Sequence, residues 1–233
     1  MVKSYRLSLE LGKVLVDRAI VGILGHEKLS LSFEQKETLR NIVSEGKGVI
    51  FLMAHVGCWQ VALSALGYLN TRVNMVIRRE EGDIDRHYFE HRQGKTPFAI
   101  IDPDGYLGGT LEMINALKRG EVLCIMGDRI FGNPMNTVSV DFLGEKVPFP
   151  FSAFKVASAT GAPIVILLTF KKAASKFGLD LAKVIHVPEN LGRTGENFRP
   201  YVSEFADVLE KYTASHPFQF FNFYDMWGPT RAA

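Results

Sequence analysis

Gly48-Val49-Ile50-Phe51-Leu52-Met53-Ala54-His55-Val56-Gly57-Cys58-Trp59-Gln60 is the stretch whose reading decides the fold. From Val49 to Ala54 the chain is apolar without a break and rich in β-formers, which is the pattern of a strand buried on both faces of a sheet. Past it, Val61, Leu63, Ala65, Leu66 and Leu69 recur at helical spacing as far as Asn70. His55 is therefore expected in a short strand-to-helix turn, at the carboxyl end of the strand. In open α/β sheets ligands bind along that edge. A histidine there is a candidate general base, although strand ends also carry histidines of purely structural use. Gln60 falls on the first turns of the following helix, where its amide is within reach of the ring from Nδ1.

Working outward, apolar runs and helical patterns alternate. Val73–Ile77, Phe98–Ile101 and Val122–Met126 read as strands. Helices are expected over Ile84–Arg92 and Leu107–Lys118, and the turn Asp102-Pro103-Asp104-Gly105 closes the second strand. This alternation implies a largely parallel sheet with right-handed crossovers. Further on, Val138, Val140 and Phe142 alternate as in an edge strand, and Phe149–Thr160 reads as a helix stopped by Gly161. Pro163–Phe170 reads as a buried strand with Leu179–Val187 antiparallel to it, followed by an amphipathic helix over Asn197–His216 and a densely aromatic close from Phe218 to Gly228. Ser32 and Gln35 stand at capping-box spacing, so a helix is expected from Phe33 to Ser44. Before it, Tyr5–Leu24 reads as an amphipathic helix that either packs on the core or lies in a membrane interface.

Composition narrows the class. Hydrophobic residues make up 47% of 233 and charged residues 22%, enough for a sizeable core in one domain. A formal charge of +2, with no RNP-like motif, zinc-finger spacing or basic run, argues against nucleic-acid binding. The two cysteines, Cys58 and Cys124, sit in apolar contexts and read as reduced core thiols of a cytoplasmic protein. A nucleophilic Cys58 at the helix start is the lesser reading. No segment reaches the ~20 apolar residues that a membrane span needs. Nucleophile elbows, Walker loops and dinucleotide fingerprints have no counterpart in the sequence.

Arg78 and Arg79 end one strand on the edge that carries His55, and Arg86, Arg92 and Lys95 follow; together they would suit a phosphate or carboxylate. Asp128 and Arg129 end another strand on that edge, as a structural ion pair or as substrate-orienting groups. His87 and His91 are spaced as a metal pair, but a solvated helix face explains them better.

His55-Val56-Gly57-Cys58-Trp59-Gln60 resembles the signature block of the lysophospholipid acyltransferase superfamily, in its lipid A late acyltransferase-like branch. Other points match in order: Val76-Ile77-Arg78, Arg92, Gly120 to Asp128, Val140-Asp141-Phe142-Leu143-Gly144, Gly161-Ala162-Pro163 and Phe221 to Trp227. The similarity spans roughly residues 45 to 228. It implies one α/β domain of the glycerolipid acyltransferase type, a mixed and mostly parallel sheet flanked by helices. Residues 1–46 would be N-terminal amphipathic helices packed on an acyltransferase-like domain of residues 47–233.

The same resemblance implies transfer of a fatty acyl chain from an acyl carrier protein or coenzyme A thioester to a hydroxyl or amine of a lipid-like acceptor. His55 would be the general base, Arg78, Arg92, Asp128 and Arg129 would hold the substrates, and neither a metal nor an organic cofactor is implied. One position departs from the pattern. Gln60 stands where the family has an acid, which opens the alternative of a non-catalytic relative that binds lipid or acyl carrier. Without a membrane span, the expected location is the cytoplasm, with peripheral contact on the inner membrane face as the role for the first helix.

Overall fold

The computed structural model describes residues 2–25, 28–64, 66–78, 98–130 and 136–228. The buried run at the centre of the sequence forms the strand Val49–Met53 (β2), with every residue inaccessible to solvent. Before it come a long helix, Val2–Leu24 (α1), a short strand, Ser30–Ser32 (β1), and the helix Lys36–Ser44 (α2). After it come Trp59–Ser64 (α3), Val73–Val76 (β3), Phe98–Ile101 (β4), Thr110–Lys118 (α4) and Val122–Met126 (β5). The remainder is a hairpin of Thr137–Phe142 (β6) and Glu145–Pro150 (β7), then Ser152–Thr160 (α5), Ile164–Ala173 (β8), Lys176–Ile185 (β9) and Gly195–Ser215 (α6).

Seven strands form one mixed, mostly parallel sheet in the order β1-β9-β8-β2-β5-β3-β4. β2 lies between β5 and β8, parallel to both, while β8 and β9 pair antiparallel as expected from the sequence. Two apolar layers cover the sheet. Ile50 and Leu52 face the layer built with α4, α5, α6 and the β6–β7 hairpin. Val49, Phe51 and Met53 face the layer that takes in Val14 and Val21 of α1 and Leu39 and Val43 of α2. A central strand of this kind stabilises both layers; burying Phe51 alone is worth about 1.5–3 kcal/mol.

Four local expectations change. The helix expected as far as Asn70 ends at Ser64, with a 3-10 turn over Leu66–Leu69. The helix expected from Phe33 starts at Lys36, and no side-chain cap forms at Gln35. Ser30–Ser32 is instead drawn into the sheet beside β9. The hydroxyl of Ser32 accepts from Lys172 Nζ at 3.1 Å and the Gln35 amide donates to Asp180 at 3.1 Å, so both halves of the capping box are engaged elsewhere. Phe149 and Pro150 belong to β7, an edge position that tolerates proline, and the helix begins at Ser152. Leu107 lies in a 3-10 turn, Tyr106–Gly109, with α4 starting at Thr110. The expected helix Ile84–Arg92 lies outside the described residues.

Candidate active site at the carboxyl edge of the sheet

Parallel pairing of β2 with β5 runs in register through Met53 and Met126. Two residues further along each chain stand His55 and Asp128, so the register alone brings them side by side. His55 Nδ1 lies 2.9 and 3.0 Å from the two carboxylate oxygens of Asp128, and the backbone N–H of His55 donates to Oδ2 at 3.1 Å. The Asp128 side chain is 1% exposed and that of His55 14%, so the imidazole reaches solvent while its partner does not. Trp59 packs against the ring in a T-shaped contact with centroids 5.4 Å apart.

The turn His55–Cys58 is held from several directions. The His55 carbonyl accepts from the Phe221 N–H at 2.8 Å, and the Gly57 N–H donates to the Gln219 carbonyl at 2.9 Å. The Val56 carbonyl accepts from the hydroxyl of Thr169, a fully buried residue of β8, at 2.7 Å. Tyr212 of α6 donates in turn to the Thr169 carbonyl at 2.7 Å. Gly57 has φ +52°, and a Cβ there would lie 2.1 Å from the Thr169 oxygen, so this position admits only glycine.

Asp128 is fixed in the same way. Its backbone carbonyl accepts from the Tyr224 hydroxyl at 2.8 Å. Burial, reinforced by the Asp128 carboxylate, pushes the Tyr224 phenol up to about 12 against the lowering effect of Arg129, so it remains a donor. Arg129 donates to the Phe221 carbonyl at 3.0 Å and lies 5.9 Å from the centre of the Tyr224 ring. The aromatic close of the chain is thereby folded back over the edge where the histidine stands.

These contacts redistribute the roles read from the sequence. The contact at Nδ1 that the sequence gives to Gln60 is made by Asp128; Gln60 is buried in the first turn of α3. Asp128 and Arg129, read together as an ion pair or as two substrate groups, divide: the carboxylate goes to His55 and the guanidinium to the C-terminal segment. Arg78 stands on the same edge, two strands away, and donates to Asp104 in the turn after β4 at 2.6 Å. Arg79, Arg86, His87, His91, Arg92 and Lys95 lie outside the described residues. Burial and the neighbouring Asp17 carboxylate push the Cys58 thiol up to about 12, which favours the protonated thiol and argues against a thiolate nucleophile near neutral pH.

Thr169, Gln219, Phe221 and Tyr224 escape a reading of the sequence. Only the aromatic density from Phe218 onward marks that region. Gln219 and Phe221 reach the turn through backbone groups, which carry no residue signature, while Thr169 reaches it, and Tyr224 reaches Asp128, through single hydroxyls.

A buried carboxylate on Nδ1 of a partly exposed imidazole orients the ring, holds the proton on Nδ1 and stabilises the imidazolium that forms when the other nitrogen takes a proton. Such an arrangement is suited to base-assisted attack by a hydroxyl or amine on a carbonyl. The family model for bacterial lipid A biosynthesis acyltransferases matches residues 8–228. Among curated proteins none matches the chain.

Proposed function

The chain belongs to the bacterial lipid A biosynthesis acyltransferase family, and from that premise we propose that it moves a fatty acyl chain from an acyl carrier protein or coenzyme A thioester to a hydroxyl or amine of a lipid-like acceptor. The observation that carries the reading is the His55–Asp128 pair. His55 takes the acceptor's proton at Nε2 while Nδ1–H donates to Asp128. The acceptor oxygen or nitrogen then attacks the thioester carbonyl, forming the new bond and a tetrahedral oxyanion. Collapse breaks the C–S bond, and the imidazolium returns its proton to the departing thiolate. The Asp128 carboxylate stabilises the cationic ring between these two transfers.

Gln60 in place of the family's acid favours a relative that binds without turnover. The carboxylate at Nδ1 supports the enzyme instead, because the charge missing at position 60 is supplied from the end of β5. Arg78, Arg92 and Arg129 are proposed as substrate-holding cations, suited to a phosphorylated acceptor or an acidic carrier protein.

Thiol release from a panel of acyl carrier protein and acyl coenzyme A thioesters, with and without lipid acceptors, tests the reading. Release that depends on an acceptor is expected. Tight binding of thioester or lipid with no release under any acceptor would instead establish the binding protein.

A peripheral position on the inner face of the membrane goes with this function. Among the described residues no helix is long and apolar enough to cross a membrane. α1 nevertheless presents Val2, Tyr5, Leu9, Val16 and Ile23 to solvent at spacings of three, four and seven residues, with Val16 59% and Ile23 80% exposed. That stripe lies opposite the side that packs Val14 and Val21 into the core, and the cations Arg6 and Lys13 flank it, Lys13 paired with Glu10 at 2.7 Å. Wild-type protein is expected to co-sediment with phosphatidylglycerol-containing vesicles. The variant Val16→Glu/Ile23→Glu should partition about 10²- to 10⁴-fold more weakly, since each of the two lost aliphatic contacts is worth ~1.5–3 kcal/mol. Equal sedimentation of the two proteins would sink the idea.

A further inference from the structure

The first helix reaches the catalytic turn through a buried charge. Asp17 of α1 pairs with Lys171 at the end of β8, and their side chains are only 6% and 10% exposed. The same Asp17 oxygen accepts from the Cys58 thiol at 3.5 Å, and Cys58 is three residues beyond His55. Lys171 is itself held at its backbone. Its N–H donates to the side-chain oxygen of Gln219 at 2.7 Å, and the Gln219 amide donates back to its carbonyl at 3.1 Å. The backbone carbonyl of Gln219 then receives the Gly57 N–H. Asp17, Lys171, Gln219, Gly57 and Cys58 therefore close a ring of contacts around the turn that carries the histidine.

A helix needs no charged contact to cover a sheet. Burying a carboxylate and an ammonium costs several kcal/mol of solvation apiece, and a pair of well-packed apolar residues of the same volume often serves stability as well or better. What such a pair supplies beyond packing is direction. The carboxylate accepts from two donors on two different segments, which sets the height of α1 against the turn and the position of the turn against β8.

We infer that Asp17 is a positioning residue for the reaction, acting through the ring of Lys171, Gln219, Gly57 and Cys58 to hold His55 in line with Asp128. The inference rests on the reading of His55 as the base. It makes the inner face of the N-terminal helix a working part of the active site, opposite the stripe proposed for the membrane.

The double variant Asp17→Leu/Lys171→Met removes both charges together and keeps the apolar volume. Its melting temperature and KM should match the wild type while kcat falls about 100-fold, the scale of a 1 Å misplacement of a catalytic group. The imidazole NMR signals of His55, identified by their loss in His55→Ala, should shift in the same variant. Wild-type kcat together with an unshifted His55 spectrum would overturn the inference, because a purely structural pair moves neither. Should the double variant fail to fold, Cys58→Ala removes a single contact of the ring. A shifted His55 signal with unchanged melting would support the positioning role, and an unchanged signal would refute it. The NMR result does not depend on turnover; if the wild type releases no thiol with any acceptor, the acyltransferase reading fails and the spectrum still decides the ring.

Discussion

Exchange of His55 for alanine is expected to reduce acceptor-dependent thiol release to the uncatalysed background, and Asp128→Asn to lower kcat by on the order of 10³- to 10⁴-fold at little change in KM. The asparagine effect follows from the hydrogen bonds Asp128 makes. One of its oxygens accepts from the backbone N–H of His55, and both lie within 3.0 Å of Nδ1. An amide has a single acceptor oxygen. With that oxygen on the backbone N–H, its NH₂ faces Nδ1, which must then accept, so the proton moves to Nε2 and the nitrogen that should take the acceptor's proton is blocked. The negative charge that stabilises the imidazolium is lost as well. In a serine-protease triad the corresponding exchange costs about 10⁴ in kcat.

Gln60→Glu, by contrast, is expected to add no more than about twofold, because Nδ1 is already engaged and a second buried carboxylate gains nothing there. Steady-state thiol release by the variants, with folding checked by near-ultraviolet circular dichroism, decides between the two acids. A tenfold gain in Gln60→Glu with an unimpaired Asp128→Asn would show that position 60 carries the chemistry.

Gly57→Ala is expected to unfold the His55–Cys58 turn or the protein around it. The left-handed backbone costs an alanine roughly 1–2 kcal/mol. A Cβ 2.1 Å from the Thr169 oxygen adds about 1–3 kcal/mol of overlap, which no rotamer change relieves because both atoms are close to backbone. β8 cannot easily yield, since Thr169 pairs with Leu179 of β9 and its hydroxyl holds Val56. The melting temperature should fall by about 10 °C, on the usual scale for a chain of this length. Gly46 provides the control. It has φ +70° and no atom within 4 Å of the place an added methyl group would take, so Gly46→Ala should lose only the conformational part. Equal losses at the two positions would mean that the turn accommodates a side chain.

Much of this was legible because the determinants are local. The unbroken run Val49–Ala54 can satisfy its backbone and bury its side chains only inside a sheet, and its polar end announces the edge where His55 stands. The ends of β3 and β5 placed Arg78 and Asp128 on that same edge by the same reasoning. Local reasoning went astray where a distant segment offered a better partner. Ser32 and Gln35 carry a capping box, yet β9 recruits Ser30–Ser32 as a strand and leaves the box unmade. Position 60 lies five residues from the histidine and invites a partnership, whereas the carboxylate on Nδ1 comes from 73 residues away.

The sequence by itself determined the strands other than β1 and β7, the turn that exposes His55, the family to which the chain belongs and the set of polar residues at one edge. Only the tertiary structure decided which of those residues touch. Side-chain period and burial are properties of a single strand, but the pairing of His55 with Asp128 depends on the register between two strands, and the closure of the turn by Gln219, Phe221 and Asp17 depends on where the two chain ends pack. Both are settled by contacts between segments far apart in the chain, through backbone groups at Gln219 and Phe221 and through side chains at Asp17 and Asp128.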